Sequence, residues 1–236
     1  MVKFRVFGER AIELVWPQKI SQNTLTEIKI MVQQIRDLYG PLVEDLIPTY
    51  ANLLIVFRQS RPLLEEIEKL REQYLSLATA CNSLIHRWYI PVCYDQVFGL
   101  DLEAFCKAKH ISTDALICLH SKKDYPIHFY GFLPGFFYLG GLDSQLHHPR
   151  KRRPRLTISE GSVAIGGAQT GVYPQNSPGG WHVIGATPVK LFKANHSPPV
   201  FAEVGDLIRF EPVNKKEFDR IKKVGEDYIL RKEVVQ

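Results

Sequence analysis

The polar side chains that could bind or transform a small molecule are concentrated between residues 149 and 181. Arg150 and Arg155 each follow a proline, and a guanidinium can bind a carboxylate or a phosphate through two parallel hydrogen bonds. The neutral hydrogen-bonding side chains of this segment are Gln169, Thr170, Tyr173 and Ser177. Together these groups predict a site for a small acidic ligand that also carries an amide. Each arginine is equally consistent with a solvated position in a loop.

Two further features extend this polar set. His120 ends a predicted helix, and an imidazole, whose ordinary pKa is near neutrality, suits general acid or base catalysis. An equally consistent interpretation is a histidine that interacts with the dipole at the C-terminus of the helix. The backbone of Gly179-Gly180 could cradle an oxyanion. The set therefore includes one candidate proton-transfer group and one candidate anion cradle.

Several other types of site are absent from the sequence. It contains no Gly-x-x-x-x-Gly-Lys-Ser/Thr phosphate loop, no Cys-x-x-Cys pair, no His-Glu-x-x-His motif and no Gly-x-Ser-x-Gly nucleophile motif. His147 and His148 are adjacent, and adjacent side chains do not converge on one ion in a regular helix or strand. No metal site is therefore expected.

Glycine and aromatic residues are dense in the segment that contains the polar set. Eleven of the 16 glycines lie between Gly131 and Gly185. The aromatic residues of the segment include Phe132, Phe136, Phe137, Tyr138, Tyr173 and Trp181. Disordered segments are poor in aromatic residues, and glycine allows tight turns and a close approach of the backbone to other groups. The pattern predicts the turns of a β structure, a shaped ligand cleft, or both.

The elements that must position these residues fall into two predicted domains, 1–86 and 87–236. In the first domain, short strands alternate with two helices. One helix is predicted at 21–38, and the other begins at Pro62 and extends its apolar stripe to Leu77. This pattern predicts a small α/β layer of ferredoxin-like type, in a protein of α+β class.

The second predicted domain begins with two short helices, at 101–109 and from Ser112 onward, and continues with short strands. The strand candidates are 128–132, 162–165, 182–184, 189–192 and 207–210. Short strands at this spacing are typical of a closed or nearly closed β-barrel. Asn214 and Glu217 predict a capping box for a final helix that reaches Leu230.

Charge and cysteine content restrict the environment and the partners. The formal net charge is +5, and the five basic residues between 150 and 155 account for all of it, so an extended nucleic-acid-binding surface is not expected. No apolar run approaches the roughly 20 residues that span a bilayer, and the N-terminus lacks the apolar segment of a secretory signal. The four cysteines form no close pair. We therefore expect free thiols, a cytoplasmic location, and neither a membrane nor a nucleic acid as partner.

Motifs spread along the whole chain resemble those of one protein family. The most distinctive motif is Gly-Phe-Leu-Pro-Gly-Phe-Phe-Tyr-Leu-Gly-Gly-Leu at 131–142. The other matching positions are 91–94, 101–102, His120, 149–150, 154–155, 161–163, 169–174, 177–181, 185–188 and 205–206. The sequence is similar to the family that contains the B subunit of 5-oxoprolinase, the sporulation-kinase inhibitor KipI and the protein called allophanate hydrolase subunit 1. Phe137 and Ala186 depart from the family pattern, in which a proline and an arginine are common at these positions.

The resemblance implies a fold and a reaction. The fold is an α/β N-terminal domain followed by a cyclophilin-like β-barrel domain with a C-terminal helix. The activity is that of a non-autonomous enzyme subunit, which acts with 5-oxoprolinase subunits C and A. The resulting hydrolase uses ATP, with Mg²⁺ beside it, to open the cyclic amide 5-oxo-L-proline to L-glutamate. The alternative within the family is a KipI-like inhibitor of a sensor histidine kinase.

The resemblance also suggests roles for individual residues. Arg150 and Arg155 would bind phosphate or carboxylate, and Gln169 would orient the lactam together with the Gly179-Gly180 backbone. His120 would transfer a proton or position the substrate. The predicted catalytic residues are His120, Arg155 and Gln169. The predicted substrate-binding residues are Phe132, Pro134, Gly135, Tyr138, Arg150, Thr170, Tyr173, Ser177, Pro178, Gly179, Gly180 and Trp181.

Overall fold

The computed structural model of this protein describes residues 2–17, 20–76 and 84–235. The chain divides into two compact units, residues 1–83 and 84–236. Both units combine helices with sheets, so the fold is mixed α/β. The predicted stripe residue Leu77 and one of the four cysteines, Cys81, lie outside the described residues.

The first unit is a four-stranded antiparallel sheet with two helices. Its elements are β1 (Lys3–Phe7), β2 (Ala11–Val15), α1 (Gln22–Tyr39), β3 (Val43–Pro48), β4 (Asn52–Phe57) and α2 (Leu63–Leu75). The strand order is β1-β2-β4-β3, so β4 lies between the two strands that α1 connects. The observed sheet order does not by itself identify a ferredoxin-like fold, so that description stays a prediction.

The helices of the first unit form where the sequence supplies a cap and an apolar stripe. The hydroxyl of Ser21 accepts a hydrogen bond from the backbone N–H of Thr24 at 3.2 Å, which satisfies one of the unpaired donors at the start of α1. Gly40 ends α1 with a φ of 47°, a conformation that favours glycine. Ile28 of α1 and Leu70 of α2 belong to the core that packs on the sheet.

The second unit carries the segment in which the sequence predicts a site. Its helices are α3 (Leu102–Lys109), α4 (Thr113–Ser121) and α5 (Lys215–Val224). Its strands are β5 (His86–Val92), β6 (Tyr125–Tyr130), β7 (Phe137–Leu139), β8 (Arg155–Ile158), β9 (Ser162–Gly166), β10 (Gln169–Val172), β11 (Ser177–Gly179), β12 (His182–Ala186), β13 (Leu207–Pro212) and β14 (Lys232–Val234). Most of these strands are short, as the spacing of glycine and proline predicts.

Strand pairing in the described part of this unit gives three sheets and no closed barrel, whereas the sequence predicts a closed or nearly closed one. The sheets have the orders β14-β5-β13-β6-β7, β10-β9-β12 and β11-β8. Irregular register in β11 and β12 interrupts the ladders between 177 and 179 and between 183 and 185, and such bulges bend a strand away from regular pairing. The cyclophilin-like description of this unit stays a prediction.

Two predictions for the second unit are wrong in detail. Residues 189–192, all of which are described, form no strand, and only Phe192 pairs, through an isolated bridge to Val200. The final helix ends at Val224, short of its predicted end. Gly225 follows with a φ of 67° and ends the helix there.

The predicted cap of α4 is confirmed, and so is the Asn214 half of the capping box predicted for α5, whereas the Glu217 carboxylate pairs with Arg220. Ser112 accepts a hydrogen bond from the backbone N–H of Ala115 at 3.1 Å, and Asn214 accepts one from that of Glu217 at 2.9 Å. Three cysteines lie within the described residues, namely Cys93, Cys106 and Cys118, and all three are free thiols. In the same residues, no helix is both long enough and apolar enough to cross a membrane.

Candidate functional site

Four aromatic side chains of the second unit form a continuous cluster. The ring of Phe136 lies 5.0 Å from that of Tyr138, 5.7 Å from that of Tyr173 and 5.6 Å from that of Trp181, in each case edge to face. This is a favourable geometry for aromatic pairs. Tyr138 is only half-buried, so the cluster reaches the surface. We call these four residues the aromatic floor.

Two glycines make room for the aromatic floor. A Cβ atom at Gly166, the last residue of β9, would collide with the indole ring of Trp181. A Cβ atom at Gly179 would collide with the phenol oxygen of Tyr173. At these two positions glycine therefore allows close packing of the backbone against aromatic rings.

Arg150 lies over this floor. Its Cζ atom is 5.6 Å from the ring centroid of Trp181, and its Nη2 atom donates to Oε1 of Gln169 at 3.4 Å. Burial raises the pKa of the Tyr138 and Tyr173 phenols, and the positive charge of Arg150 opposes that rise. No carboxylate among the described residues pairs with this exposed guanidinium. Its charge is therefore free to meet an anionic ligand.

Arg155 has a different position from the one expected. It forms a bidentate ion pair with Asp101, at 2.6 Å and 2.8 Å, and Lys151 reaches the same carboxylate at 2.6 Å. Asp101 is only 5% exposed. Burial alone acts to raise the pKa of Asp101, but hydrogen bonds from both cations and from the N–H of Val183 hold it below its ordinary value. The guanidinium of Arg155 is thus occupied within the protein.

His120 lies in the core and does not reach the surface. Its Nδ1 atom is 2.7 Å from the hydroxyl of Tyr94, and its Nε2 atom is 2.8 Å from the hydroxyl of Thr170. Because the Thr170 hydroxyl donates to the carbonyl of Ala164, it accepts from Nε2–H, which assigns the neutral tautomer. Burial lowers the pKa of His120 to about 3. A direct proton transfer from His120 to a ligand on the aromatic floor is not supported by this position.

The alternation of strand β10 explains why neighbouring candidates separate. Gln169 is half-buried and its side chain meets Arg150, whereas Thr170 is fully buried and its side chain meets His120. Successive side chains of a strand point to opposite faces. Two adjacent residues of the sequence therefore belong to different environments, one at the site and one in the core.

The loop between β6 and β7 adds an exposed aromatic ring. Phe132 adopts a φ of 69°, which is unusual for a residue with a side chain, and is 60% exposed. Its ring lies 5.6 Å from that of Phe136, so it extends the aromatic floor. Pro134 is exposed, and Gly135 packs against Phe192 with a φ of 80°. Left-handed strain of this kind clusters at ligand sites.

The remaining predicted residues lie in β11 and directly after it. Ser177 is buried and donates to the carbonyl of Pro178 at 3.2 Å. The carbonyl of Gly180 accepts from the backbone N–H of Lys151 at 2.7 Å. The structure thus brings together Arg150, Gln169, Phe132, Tyr138, Tyr173 and Trp181. Their roles in binding stay predictions.

The described residues do not identify an ATP and Mg²⁺ site. Within the described ranges, no group of three or more His, Cys, Asp or Glu side chains could hold a metal ion. Arg155, one of the two arginines expected to bind phosphate or carboxylate, pairs with Asp101, and so does Lys151. We therefore derive no step through ATP in this chain.

The family follows from a comparison of the whole sequence with family models. Residues 2–202 match the model described as carboxyltransferase domain, subdomain C and D. The chain belongs to this family. Its aromatic floor and Arg150 both lie within the matched residues, so the candidate site is part of the carboxyltransferase domain.

Two similar proteins of this family are named as the B subunit of 5-oxoprolinase. The protein of Escherichia coli O157:H7 is 36% identical over 208 residues, which is 88% of this chain and 94% of that protein. The protein of Bacillus subtilis (strain 168) is 43% identical over 133 residues, which is 56% of this chain but only 55% of that protein. The chain thus matches little more than half the length of the second relative.

A solved structure supports the fold of this carboxyltransferase-family chain. The K. lactis urea amidolyase superimposes with a TM-score of 0.82 over 98% of this chain and 16% of that chain. The two sequences are 16% identical over this region. A likeness at this level of identity shows the fold alone.

Proposed function

We propose that this chain is the B subunit of a 5-oxoprolinase, which opens 5-oxo-L-proline to L-glutamate at the expense of ATP. The observation that carries the proposal is the match to the Escherichia coli O157:H7 relative, which takes in most of both chains. The proposal assigns to this chain a share in a multi-subunit hydrolase rather than an activity of its own. The kinase-inhibitor alternative gains no support from these relatives, and we do not propose it.

The candidate site fits the chemistry of this substrate. The substrate is a flat five-membered lactam that carries one carboxylate. The aromatic floor would support the ring, the unpaired guanidinium of Arg150 would bind the carboxylate, and the amide of Gln169 would hydrogen-bond the lactam. In this proposal the roles assigned to Arg150 and Gln169 are kept. Arg155 and His120 become residues that stabilise the site and the core behind it.

The proposal includes partners and a nucleotide. Subunits C and A would complete the enzyme, and ATP, with Mg²⁺, would drive the opening of the lactam, which is uphill in the direction of glutamate. We place the nucleotide outside the aromatic floor, which the proposal assigns to the lactam. We keep the cyclophilin-like description of the second unit, the ferredoxin-like description of the first unit and the cytoplasmic location as parts of this proposal.

The proposal is tested by reconstitution. The purified chain is mixed with its cognate subunits C and A, ATP, Mg²⁺ and 5-oxoproline, and the glutamate formed is measured. We expect glutamate from the complete mixture and none when this chain is omitted. If subunits C and A form glutamate equally well without this chain, the proposal is wrong.

A further inference from the structure

The basic loop beside the site is attached to the protein through one buried carboxylate. Each oxygen of Asp101 accepts two hydrogen bonds: Oδ1 from Arg155 and Lys151, and Oδ2 from Arg155 and the backbone N–H of Val183. The acceptor capacity of a carboxylate is about four hydrogen bonds, so this group is fully used. Asp101 thereby ties the start of α3 to β8, to β12 and to the loop that contains Lys151.

The backbone on both sides of Arg150 is also held. The carbonyl of Pro149 accepts from Nε2 of His182 at 2.9 Å. The backbone N–H of Lys151 donates to the carbonyl of Gly180 at 2.7 Å. These two groups belong to the two peptide bonds that flank the Cα atom of Arg150, so neither peptide plane turns freely.

The side chain of Arg150, in contrast, has only weak attachments. Its contacts are the 3.4 Å hydrogen bond to Gln169 and the stacking over Trp181. A fixed backbone with an unpaired guanidinium is a pre-organised arrangement, because little conformational entropy is lost when a ligand binds. The strong ion pairs of this loop lie on the residues beside Arg150 rather than on Arg150 itself.

We infer that Asp101 is a positioning residue of the site, which acts through Lys151 and Arg155 to hold Arg150 over Trp181. It does not touch the ligand. Its part is to bind the side chains of Lys151 and Arg155 at a buried carboxylate, so that Arg150 is the one of these three cations that lies over the aromatic floor. The inference rests on the proposed function only where it concerns 5-oxoproline; the placement of Arg150 can be tested without substrate.

The first test measures the environment of Trp181 in the full chain. Trp16 and Trp88 are changed to Phe, and acrylamide quenching of the remaining indole fluorescence is compared among variants. We expect Asp101→Asn and Lys151→Met to raise the quenching constant toward the value for Arg150→Gln. Lys151→Met leaves the Asp101–Arg155 pair intact and is expected to fold, so it decides the question if Asp101→Asn does not fold.

A matched control comes from another carboxylate of the same unit. Asp124 pairs with Arg87 at 2.8 Å and with Arg209 at 2.7 Å, in a different sheet. Asp124→Asn removes a similar ion-pair centre, and we expect it to lower stability without changing the quenching of Trp181. The inference would be overturned if the quenching constant of Trp181 were unchanged in Lys151→Met. It would also be overturned if Asp124→Asn raised that constant as much as Lys151→Met does.

The second test separates positioning from general stability in the reconstituted enzyme. Asp101→Asn and Arg150→Gln are each expected to raise KM for 5-oxoproline with little change in kcat, and the double variant is expected to add little to either change. Additive effects would overturn the inference. If the quenching results hold but the wild-type mixture forms no glutamate, the proposed function fails while the positioning of Arg150 by Asp101 stands.

Discussion

At the scale of single residues, His120 shows how a buried imidazole links the stability of the protein to pH. The unfolded chain takes up a proton at His120 near pH 6.5, whereas the folded protein takes it up only near pH 3. Between these values the unfolded state binds more protons, so stability falls as the pH drops. Acid therefore favours unfolding of the core around Tyr94 and Thr170.

We predict that the free energy of unfolding falls by about 2 kcal/mol between pH 7 and pH 5 from this one histidine, since one pKa unit corresponds to about 1.4 kcal/mol. His128, whose pKa burial lowers to about 4, adds to the effect in the same direction. Urea unfolding followed by circular dichroism at the two pH values measures it. The variant His120→Gln should show a smaller difference, and equal stability of the wild type at both values would contradict this interpretation.

At the scale of elements, the end of strand β9 sets the position of the aromatic floor. Gly166 faces the indole ring of Trp181 so closely that even one methyl group does not fit. Overfilling a packed position usually costs about 1–3 kcal/mol. Position 166 therefore requires glycine because of its packing against Trp181, and not because of the conformation of the strand.

We predict that Gly166→Ala lowers the free energy of unfolding by about 1–3 kcal/mol and displaces Trp181. Thermal unfolding and the emission spectrum of Trp181 are the measurements. Gly180→Ala is the matched control, since its added Cβ would lie 3.6 Å from the nearest atom, the carbonyl oxygen of Lys151. A Gly166→Ala protein as stable as Gly180→Ala would show that the packing around Trp181 is looser than described.

Elements with local signals could be predicted from the sequence, and those without such signals could not. The helix at 21–38 and the caps at Ser112 and Asn214 were predictable, because periodicity and capping act over a few residues. Strands such as β8 and β11 were missed. Each has at most four residues and pairs only with the other, so nothing local marks it.

The candidate site was predictable in composition but only partly in arrangement. Arg150, Gln169 and the aromatic residues do come together, as their density suggests. The pairing of Arg155 with Asp101 spans 54 positions of the chain, and only the fold brings these residues together. Asp101 was visible as part of a family-like Asp-Leu motif, but its role required the structure.

At the scale of the whole molecule, the proposed function assigns the substrate carboxylate to this chain rather than to its partners. The pattern of contacts is the physical basis: of the basic loop, Lys151 and Arg155 share the carboxylate of Asp101, whereas Arg150 lies over the aromatic floor. Arg152 lies in the same loop and is exposed. A comparison of variants at Arg150 and Arg152 therefore distinguishes a specific contact of Arg150 from a general effect of positive charge in the loop.

The most direct test is the steady-state rate of 5-oxoproline-dependent ATP hydrolysis by the assembled enzyme. We predict that Arg150→Gln raises KM for 5-oxoproline by about 10- to 100-fold, since a hydrogen bond to a charged group is worth about 1.5–3 kcal/mol. Arg152→Gln should leave KM unchanged. An unchanged KM in Arg150→Gln, or an equal rise in both variants, would contradict the claim that Arg150 holds the substrate carboxylate.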